Sequence, residues 1–205
     1  MPTYIIEHLE PELYEWCIIE YKSISNLVGK ENIWFTNIKE EDKSKLEHYG
    51  KVFTKSIRQL ISQNNVAQDA KNSLCINNLR SVCILDPEAT QELKPEDKKL
   101  KFFIFGGILG DNPPRKRTGP ELTVFFPNAE KRNIGKSQFS TDNAVFVTKQ
   151  ILEGKNLKDL KFQEGIEIKT GKYDSVTLPY LYPLVNNKPR ISKELIDYIK
   201  KHPNF

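Results

Sequence analysis

Short apolar runs alternate along the chain with longer amphipathic segments. Residues 4–6 are aromatic and β-branched, which predicts a first buried strand. Residues 12–27 carry apolar positions at helical spacing between Pro11 and Gly29, which predicts a helix. The same patterns predict further strands at residues 32–38, 80–85, 102–105, 123–126, 132–134 and 175–178, and further helices at residues 55–62, 141–152 and 191–201.

The order of these elements predicts the fold class. Strands that alternate with helices favour an α/β fold, in which a mostly parallel sheet carries helices on both faces. Asp86-Pro87 ends one strand, and we expect a helix to start behind it. Residues 40–78 are polar and rich in Lys, Gln and Asn, and they predict the least regular structure. No linker-like composition divides the chain, so we expect a single domain over residues 1–205.

One predicted strand leads directly into a glycine-rich segment. Residues 102–105 are followed by glycines, an acid, two prolines and a basic triplet, at Gly106, Gly107, Gly110, Asp111, Pro113, Pro114 and residues 115–117. Glycine lets the backbone approach a bulky ligand closely, and proline fixes the exit path of the chain. Since α/β proteins bind ligands at the carboxyl ends of their strands, the segment predicts a ligand loop. The alternative is a tight turn that binds nothing.

Two phosphate-binding motifs are incomplete in this chain. The dinucleotide fingerprint G-x-G-x-x-G is not matched by Gly106-Gly107-x-x-Gly110, because no glycine lies two positions before Gly107. Gly135-Lys136-Ser137 resembles the end of a P-loop, but that motif also requires a glycine at position 130, where the chain has Glu130. The sequence therefore excludes a cradle for a nucleoside triphosphate.

Composition limits the partners, the metal sites and the cellular location that we expect for this protein. The 205 residues include 31 Lys and Arg against 27 Asp and Glu, and the resulting charge of +4 permits a ribosomal or RNA setting without demanding one. The three cysteines and three histidines show no metal-ligand spacing, so we expect no metal site. The first eight residues do not resemble a signal peptide, and the longest apolar run is too short to span a bilayer. We therefore expect a cytoplasmic protein with no membrane segment.

Two carboxylates lie among apolar residues. Glu7 precedes His8 at the end of the first predicted strand, and Glu20 precedes Tyr21 on the inner side of the first predicted helix. Burial of a carboxylate is costly unless a cation accompanies it. The sequence leaves open whether that cation is an internal Arg or Lys or belongs to a substrate.

Several of these segments together resemble the SPOUT class of methyltransferases. Within that class the chain is similar to the fungal protein arginine methyltransferases that act on a small-subunit ribosomal protein. The resemblance runs from residue 4 to about residue 200. It depends on residues 4–8, Glu15-Trp16, Glu20-Tyr21, residues 85–89, Phe105-Gly106-Gly107-Ile108-Leu109-Gly110-Asp111-Asn112-Pro113-Pro114-Arg115 and Gly135-Lys136-Ser137-Gln138-Phe139-Ser140-Thr141-Asp142.

The resemblance implies a fold, a cofactor and a set of cofactor-binding loops. The SPOUT fold has a trefoil knot in its C-terminal half, and S-adenosylmethionine binds in the knot. The residues that match the cofactor walls are Leu85, Asp86, Pro87, Phe105, Gly106, Gly107, Gly110, Asp111, Ile134, Gly135, Gln138, Phe139, Ser140 and Thr141. A valine at Gly107 is therefore expected to block cofactor binding by filling space that the loop leaves open.

The resemblance also implies how the acceptor is handled. Carboxylates grip a guanidinium through paired hydrogen bonds and stabilise its charge as a proton leaves. The acids predicted for this role are Glu7, Glu20, Asp111 and Asp142, and His8 and Tyr21 are predicted to position the substrate or relay a proton. The implied partner is a small-subunit ribosomal protein, with ribosomal RNA as a further expected contact. A monomer is implied, because residues 178–205 form an appended tail that covers the usual contact surface of the class.

Two other functions stay open from the sequence. An RNA methyltransferase is one, since most of the class modifies tRNA or rRNA, and residues 115–117 and 131–132 are basic. Acids near the glycine loop favour a cationic target instead. A binding module that has lost the chemistry is the other alternative, and the intact glycine segment argues against it.

Overall fold

The computed structural model describes residues 1–63, 79–110, 113 and 115–203. The strands are β1 (Thr3–His8), β2 (Ile33–Thr36), β3 (Lys51–Val52), β4 (Val82–Leu85), β5 (Phe102–Gly107), β6 (Glu130–Arg132), β7 (Phe162–Lys169), β8 (Ser175–Val185) and β9 (Lys188–Pro189). The helices are α1 (Glu15–Val28), α2 (Lys43–Leu46), α3 (Ile57–Gln63), α4 (Thr118–Glu121), α5 (Thr141–Leu152) and α6 (Lys193–Lys201). Short 3₁₀ helices cover Lys30–Asn32, Glu40–Asp42, Leu79–Ser81, Pro95–Lys99, Thr123–Phe125 and Leu157–Asp159.

The first sheet has six strands in the order β3-β2-β1-β5-β4-β6, and every neighbouring pair is parallel. β1 lies next to β5, with Glu7 opposite Gly106 and His8 opposite Gly107. β4 and most of β5 are buried, as expected for central strands of a parallel sheet. The predicted α/β class with a mostly parallel sheet is confirmed. The trefoil knot that the resemblance implies stays a prediction.

Helices cover both faces of this sheet, as predicted. On one face α1 and α5 contribute Tyr21, Ile24, Val147 and Ile151 to a core with alternate residues of the strands. On the other face α3 contributes Ile57, which packs with strand residues of the opposite parity. The alternation of the strands therefore divides the apolar side chains between two cores.

A second sheet of antiparallel strands, in the order β7-β8-β9, follows the parallel one. It packs with α1 and α6 around Trp16, Tyr182 and Ile199. The sequence predicted only residues 175–178 of this sheet and missed β7. The register of β7 with β8 shifts between Glu164 and Ile166, and the residues at this point of β7, Glu164 and Gly165, are of types that are depleted in strands, so the pattern carried no strand signal there.

The strand predicted at residues 123–126 is wrong. Residues Thr123–Phe125 form a 3₁₀ helix, closed by hydrogen bonds from Phe125 N to Leu122 O and from Phe126 N to Thr123 O. Leu122 and Phe126 are buried whereas Phe125 is exposed. Burial at two positions four apart is typical of a helical turn that packs one side against the sheet. The β-propensity of the apolar residues, on which the strand prediction depended, did not decide the structure.

The helix expected behind Asp86-Pro87 is also absent from the residues that follow β4. Instead, Asp86 closes a turn, because its side chain accepts from Glu88 N at 2.9 Å and its carbonyl accepts from Ala89 N at 3.0 Å. Aspartate commonly stabilises such turns in preference to a helix. Residues 64–78, the last part of the segment with the least regular prediction, lie outside the described residues.

Gly107 is where β5 passes directly beneath α1. A Cβ atom at this position would overlap the Tyr21 hydroxyl and lie 3.0 Å from Ile6 Cγ2 and 3.2 Å from the Glu7 carbonyl oxygen. Tyr21 has no room to move, because its ring stacks on Phe35 with centroids 5.2 Å apart and its hydroxyl contacts His8 Nδ1 at 2.8 Å. The close approach of α1 to the sheet therefore requires glycine here.

We predict that Gly107→Ala destabilises the protein by about 1–3 kcal/mol, since overpacking a rigid core costs that much. Urea unfolding measures the change. Gly106→Ala is the matched control, because a Cβ there lies 2.9 Å from the flexible end of Ile108 and in ordinary contact, at 3.6 Å, with Leu9 Cδ1. Tyr21→Phe should recover part of the loss in the Gly107→Ala background. Equal stability of the two alanine variants would contradict this account of the packing.

Candidate functional site

A cavity of ≈ 310 Å³ opens where the chain leaves β4, β5 and β6. Parallel strands end at the same edge of a sheet, so their exit loops face one another there. The loop that leads to α4 and the first turn of α5 complete the walls. The lining residues are Leu85, Asp86, Pro87, Glu88, Phe105, Gly106, Ile108, Leu109, Gly110, Arg115, Lys116, Arg117, Thr118, Ile134, Gly135, Lys136, Ser137, Gln138, Phe139, Thr141 and Ala144.

The three loops predicted to form the cofactor walls therefore meet around one cavity. The predicted residues that line it are Leu85, Asp86, Pro87, Phe105, Gly106, Gly110, Ile134, Gly135, Gln138, Phe139 and Thr141. Gly107 does not line the cavity, because the side on which a Cβ would stand faces α1. Ser140 does not line it either, because its Oγ donates to Asp142 Oδ1 at 2.8 Å. Asp111 and Asn112 lie outside the described residues. The expected effect of a side chain at Gly107 thus changes from filling the cavity to disrupting the packing of Tyr21.

Lys136 connects two walls of the cavity. Its Nζ donates to the carbonyl oxygens of Pro87 at 2.7 Å and Ala89 at 2.9 Å. Asn133 reinforces the connection, because its Nδ2 donates to the Ala89 carbonyl and its Oδ1 accepts from Gly135 N at 3.0 Å. The lysine of the incomplete P-loop motif therefore holds the loop after β4 in place.

Arg117 fixes the opposite wall. It donates to Glu10 Oε1 and Glu121 Oε1, each at 2.7 Å, and to the Leu9 carbonyl at 3.2 Å. The same Glu10 oxygen accepts from Leu109 N at 2.9 Å, so the loop after β1 supports the loop after β5. Because Arg117 is committed to these partners, the basic triplet is not simply a solvated charge run.

Glu7 is buried without a cation among the described residues. Its Oε2 accepts from Thr36 Oγ1 and from Ile57 N, the latter at 2.9 Å, and both donors are neutral. Burial raises the pKa of Glu7, and the two hydrogen bonds lower it by less. Hydrogen-bond donors at the end of β2 and the start of α3 satisfy this acid, and no Arg or Lys of the described residues forms an ion pair with it.

His8 and Tyr21 form a neutral pair under α1. His8 Nε2 lies 3.2 Å from the Glu12 carbonyl, which only accepts, so Nε2 carries the proton and Nδ1 accepts from the Tyr21 hydroxyl. Burial lowers the pKa of His8 and raises the pKa of Tyr21, which keeps both uncharged. Neither residue lines the cavity, nor does Glu7. The catalytic role predicted for these three residues stays a prediction, and the contacts described give them a part in packing.

Glu20 lies directly behind the cavity wall. Its Oε2 accepts from Thr141 N at 3.1 Å, at the start of α5, and its Oε1 accepts from Trp16 Nε1 at 2.6 Å. Burial, followed by the nearby charge of Asp142, raises the pKa of Glu20 to about 8. Donors from a backbone amide and an indole therefore hold an acid whose proton is exchanged near neutral pH.

Within the described part of the chain, Asp142, unlike Glu7 and Glu20, is paired with an internal cation. Arg190 Nη1 donates to its Oδ2 at 2.7 Å, and Ser23 Oγ donates to the same oxygen at 3.0 Å. The charge of Asp142 is thus balanced within the protein, whereas Glu20 is held by neutral groups. Of the acids predicted to be catalytic that the structure describes, Glu20 and Asp142 are the two next to the cavity.

Sequence reasoning missed several lining residues. Ile108 and Leu109 lie inside the glycine segment, and their apolar character gave no signal apart from the strand before them. Thr118 and Ala144 reach the cavity from α4 and α5, and their contribution depends on where those helices start relative to the sheet. The basic residues 115–117 carried a signal because they follow the loop directly, and Lys136 and Ser137 carried one because they belong to the incomplete P-loop motif.

The described residues also bear on whether the protein has a metal site or a membrane-spanning helix. Over the described part of the chain, no group of three or more His, Cys, Asp or Glu side chains is arranged to hold a metal ion. None of the helices in that part has the length and apolar character needed to cross a membrane.

The chain is similar to known proteins over nearly its whole length. Residues 3–204 match the family model described as protein arginine N-methyltransferase SFM1-like. The chain is 36% identical over 203 residues to protein arginine N-methyltransferase SFM1 of Saccharomyces cerevisiae, an alignment that covers 97% of this chain and 94% of that protein.

Solved structures give the same result. The crystal structure of the yeast arginine methyltransferase SFM1 in complex with S-adenosylmethionine has a TM-score of 0.82 and 34% identity, and covers 98% of this chain and 90% of that one. A Trm10 structure from Thermococcus kodakaraensis has a TM-score of 0.54 at 18% identity, covering 78% of this chain and 96% of that one, which shows a shared fold only. The cavity between the strand-end loops thus belongs to a chain whose sequence and fold both match one family over nearly their full length. This chain belongs to the SFM1-like family of protein arginine N-methyltransferases.

Proposed function

We propose that this protein uses S-adenosylmethionine to methylate an arginine of a small-subunit ribosomal protein, and that the cofactor binds in the cavity between the strand-end loops. The observation that carries the proposal is the convergence of the three predicted loops on one cavity. The yeast family member in complex with S-adenosylmethionine supports the choice of cofactor. The ribosomal substrate is supported by the resemblance of the sequence motifs.

The lining of the cavity fits this cofactor. Leu85, Phe105, Ile134 and Phe139 supply apolar walls suited to a flat base, as in other small-molecule sites. Asp86 supplies a carboxylate at the same wall, and its oxygens accept from Thr123 Oγ1 at 2.6 Å and Glu88 N at 2.9 Å. A carboxylate accepts about four hydrogen bonds, so Asp86 retains capacity for ligand hydroxyls.

When bound, the cofactor supplies a methyl group on a positively charged sulfonium, and the protein's task is orientation and electrostatic support. The arginine acceptor is also a cation. Glu20 is the acid that lies behind the wall at Thr141, and in its ionised form it stabilises positive charge at that end of the cavity. Once ionised, Glu20 also takes up a proton released near neutral pH readily, because its pKa is raised. We assign Asp142 to holding this end of α5 and Glu7, His8 and Tyr21 to holding β1 against its neighbours.

We place this protein in the cytoplasm as a monomer, in contact with ribosomal RNA only through its substrate. The C-terminal segment supports the monomer, because Leu195 and Ile199 of α6 pack on α1 and cover its outer face. The cytoplasm is where new ribosomal proteins are available to a modifying enzyme. Gel filtration with light scattering tests the oligomeric state.

The reaction assignment is tested with labelled S-adenosylmethionine and ribosomal subunits. We expect the label to enter one small-subunit protein and to release methylarginine on hydrolysis. Incorporation into RNA would support the alternative of an RNA methyltransferase, and no incorporation into either would favour a binding module. A variant with a blocked cavity serves as the negative control.

Gly106→Val should provide that blocked cavity. Gly106 lines the cavity, and a side chain there displaces Ile108, which also lines it. We expect the Kd for S-adenosylmethionine to rise at least about tenfold, or ~1.4 kcal/mol, as measured by calorimetry. Gly107→Ala, whose methyl group points to α1, should lose stability but keep a normal Kd once folded. A normal Kd for Gly106→Val would place the cofactor elsewhere.

The charge state of Glu20 should couple to the cofactor. Its pKa is raised to about 8, so it is mostly protonated at lower pH and becomes negative as the pH rises through that value. We expect affinity for S-adenosylmethionine to increase by roughly tenfold between about pH 6.5 and about pH 9, because an ionised carboxylate attracts the sulfonium. S-adenosylhomocysteine lacks that charge and should show a smaller increase.

Glu20→Gln is the matched variant for this experiment. It should remove the difference in pH dependence between the two ligands and strongly reduce methyl transfer, while the affinity for S-adenosylhomocysteine changes little. An undiminished difference in Glu20→Gln would show that another group senses the sulfonium.

A further inference from the structure

We propose that Arg190 is a positioning residue for methyl transfer, because it fastens the C-terminal segment to the first turn of α5 and to α1 at the edge of the cofactor cavity. The inference rests on the proposed assignment of that cavity. It makes the C-terminal segment, residues 178–205, a working part of the site, where the resemblance implied an appended tail.

The guanidinium of Arg190 joins three parts of the chain. Nη1 donates to Asp142 Oδ2 at 2.7 Å and to Asn143 Oδ1 at 2.8 Å, and Nη2 donates to Ser23 Oγ at 3.0 Å. Its Cζ lies 5.0 Å from the centroid of the Phe146 ring. Arg190 itself follows β9, whereas Ser23 belongs to α1 and the other partners belong to α5. The planar fork of the guanidinium directs these hydrogen bonds from two separate nitrogens to two helices, which the single nitrogen of an ammonium cannot do.

The partners of Arg190 also bond to one another. Ser140 Oγ donates to Asp142 Oδ1 at 2.8 Å, and Asn143 Nδ2 donates to Ser140 Oγ at 2.9 Å and to the Arg190 carbonyl at 3.2 Å. The side chain of Arg190 is 18% exposed and that of Asp142 is 7% exposed, so the pair is largely out of water. Removal of one partner therefore leaves a buried charge without compensation.

This network lies at the wall of the cavity. Thr141 and Ala144, which line the cavity, belong to the same turn of α5 as Asp142 and Asn143. Thr141 N also donates to Glu20. A shift of this turn would move the wall and the donor of Glu20 together, which links Arg190 to the position of the acid.

The C-terminal segment contacts two further walls, which supports the same inference. Leu181 N donates to the Gln138 carbonyl at 2.8 Å, in the loop before α5. The Tyr180 hydroxyl donates to the Gly110 carbonyl at 3.4 Å, and a Cβ at Gly110 would overlap the Tyr180 ring. The strand β8 therefore packs against the glycine loop as closely as glycine allows, and Arg190 secures the chain that follows β8.

Arg190 also sets the electrostatic surroundings of Glu20. The groups that face Glu20 are Trp16, Cys17 and Tyr21 of α1, Thr141 and Asp142 of α5, and Tyr182 of β8. Asp142 is the carboxylate among them, and Arg190 is its cation. Loss of that cation leaves the charge of Asp142 unopposed and raises the pKa of Glu20 further.

The test compares variants of Arg190 in the full-length protein. Arg190→Gln should raise the Kd for S-adenosylmethionine about tenfold and move the midpoint of its pH dependence upward. Arg190→Lys keeps the charge but not the fork, so it should keep the midpoint and lose part of the affinity. Lys188→Gln removes an exposed charge from the same segment and should leave both quantities unchanged.

A double variant keeps the test valid if Arg190→Gln folds poorly. Asp142→Asn with Arg190→Gln removes both charges, so it should bring the midpoint back to or below that of the unmodified protein while the affinity stays low. Wild-type affinity in this double variant, or an unshifted midpoint in a folded Arg190→Gln, would overturn the inference.

The cavity assignment is tested separately. If Gly106→Val binds normally, the assignment itself is wrong, whereas weak binding by Gly106→Val together with normal binding by the Arg190 variants rejects only the role of Arg190.

Discussion

The structure depends on the parallel pairing of β1 with β5 and of β5 with β4 at the centre of the sheet. This pairing sends the chain out at one edge, so that the loops after β4 and β5 face each other with a cavity between them. The register also places Gly107 opposite His8, where β5 can lie close beneath Tyr21 of α1. Gly106, the residue before it in the strand, has the opposite parity and lines the cavity. One pair of glycines thus serves packing on one face and ligand access on the other.

Buried acids illustrate how the protein holds ionisable groups away from water. Glu7 and Glu20 are held by hydroxyl, indole and backbone donors, and burial raises the pKa of each. Asp142, by contrast, has the full charge of Arg190 beside it. An acid with neutral donors can change its proton occupancy when a cation arrives, whereas an acid in an ion pair is fixed. This difference is the physical reason for giving Glu20 the electrostatic role and Asp142 the structural one.

Side chains tie the cavity walls together, so the site is not an isolated set of loops. Lys136 holds the loop after β4, Arg117 and Glu10 hold the loop after β5, and Arg190 holds α5. Each of these residues carries a charge, and each uses it on a partner within the protein. Basic residues near a binding site therefore need not contact an anionic ligand, which weakens the case that the triplet at residues 115–117 marks an RNA surface.

The order of the main strands and helices follows from the sequence alone. Residues 4–6 and 102–105 are short apolar runs typical of buried strands, and residues 141–152 have apolar positions at helical spacing. The resemblance of the sequence motifs implied which loops meet, and the shared edge at which parallel strands end is the physical reason. The sequence could not determine the direction in which Gly107 faces, the partner of Asp142, or the pairing of β7 past its bulge. Those features depend on residues far apart in the chain, such as Tyr21 with Gly107 and Asp142 with Arg190. Local propensity carries no information about such contacts, and only the packing of α1, α5 and the C-terminal segment decides them.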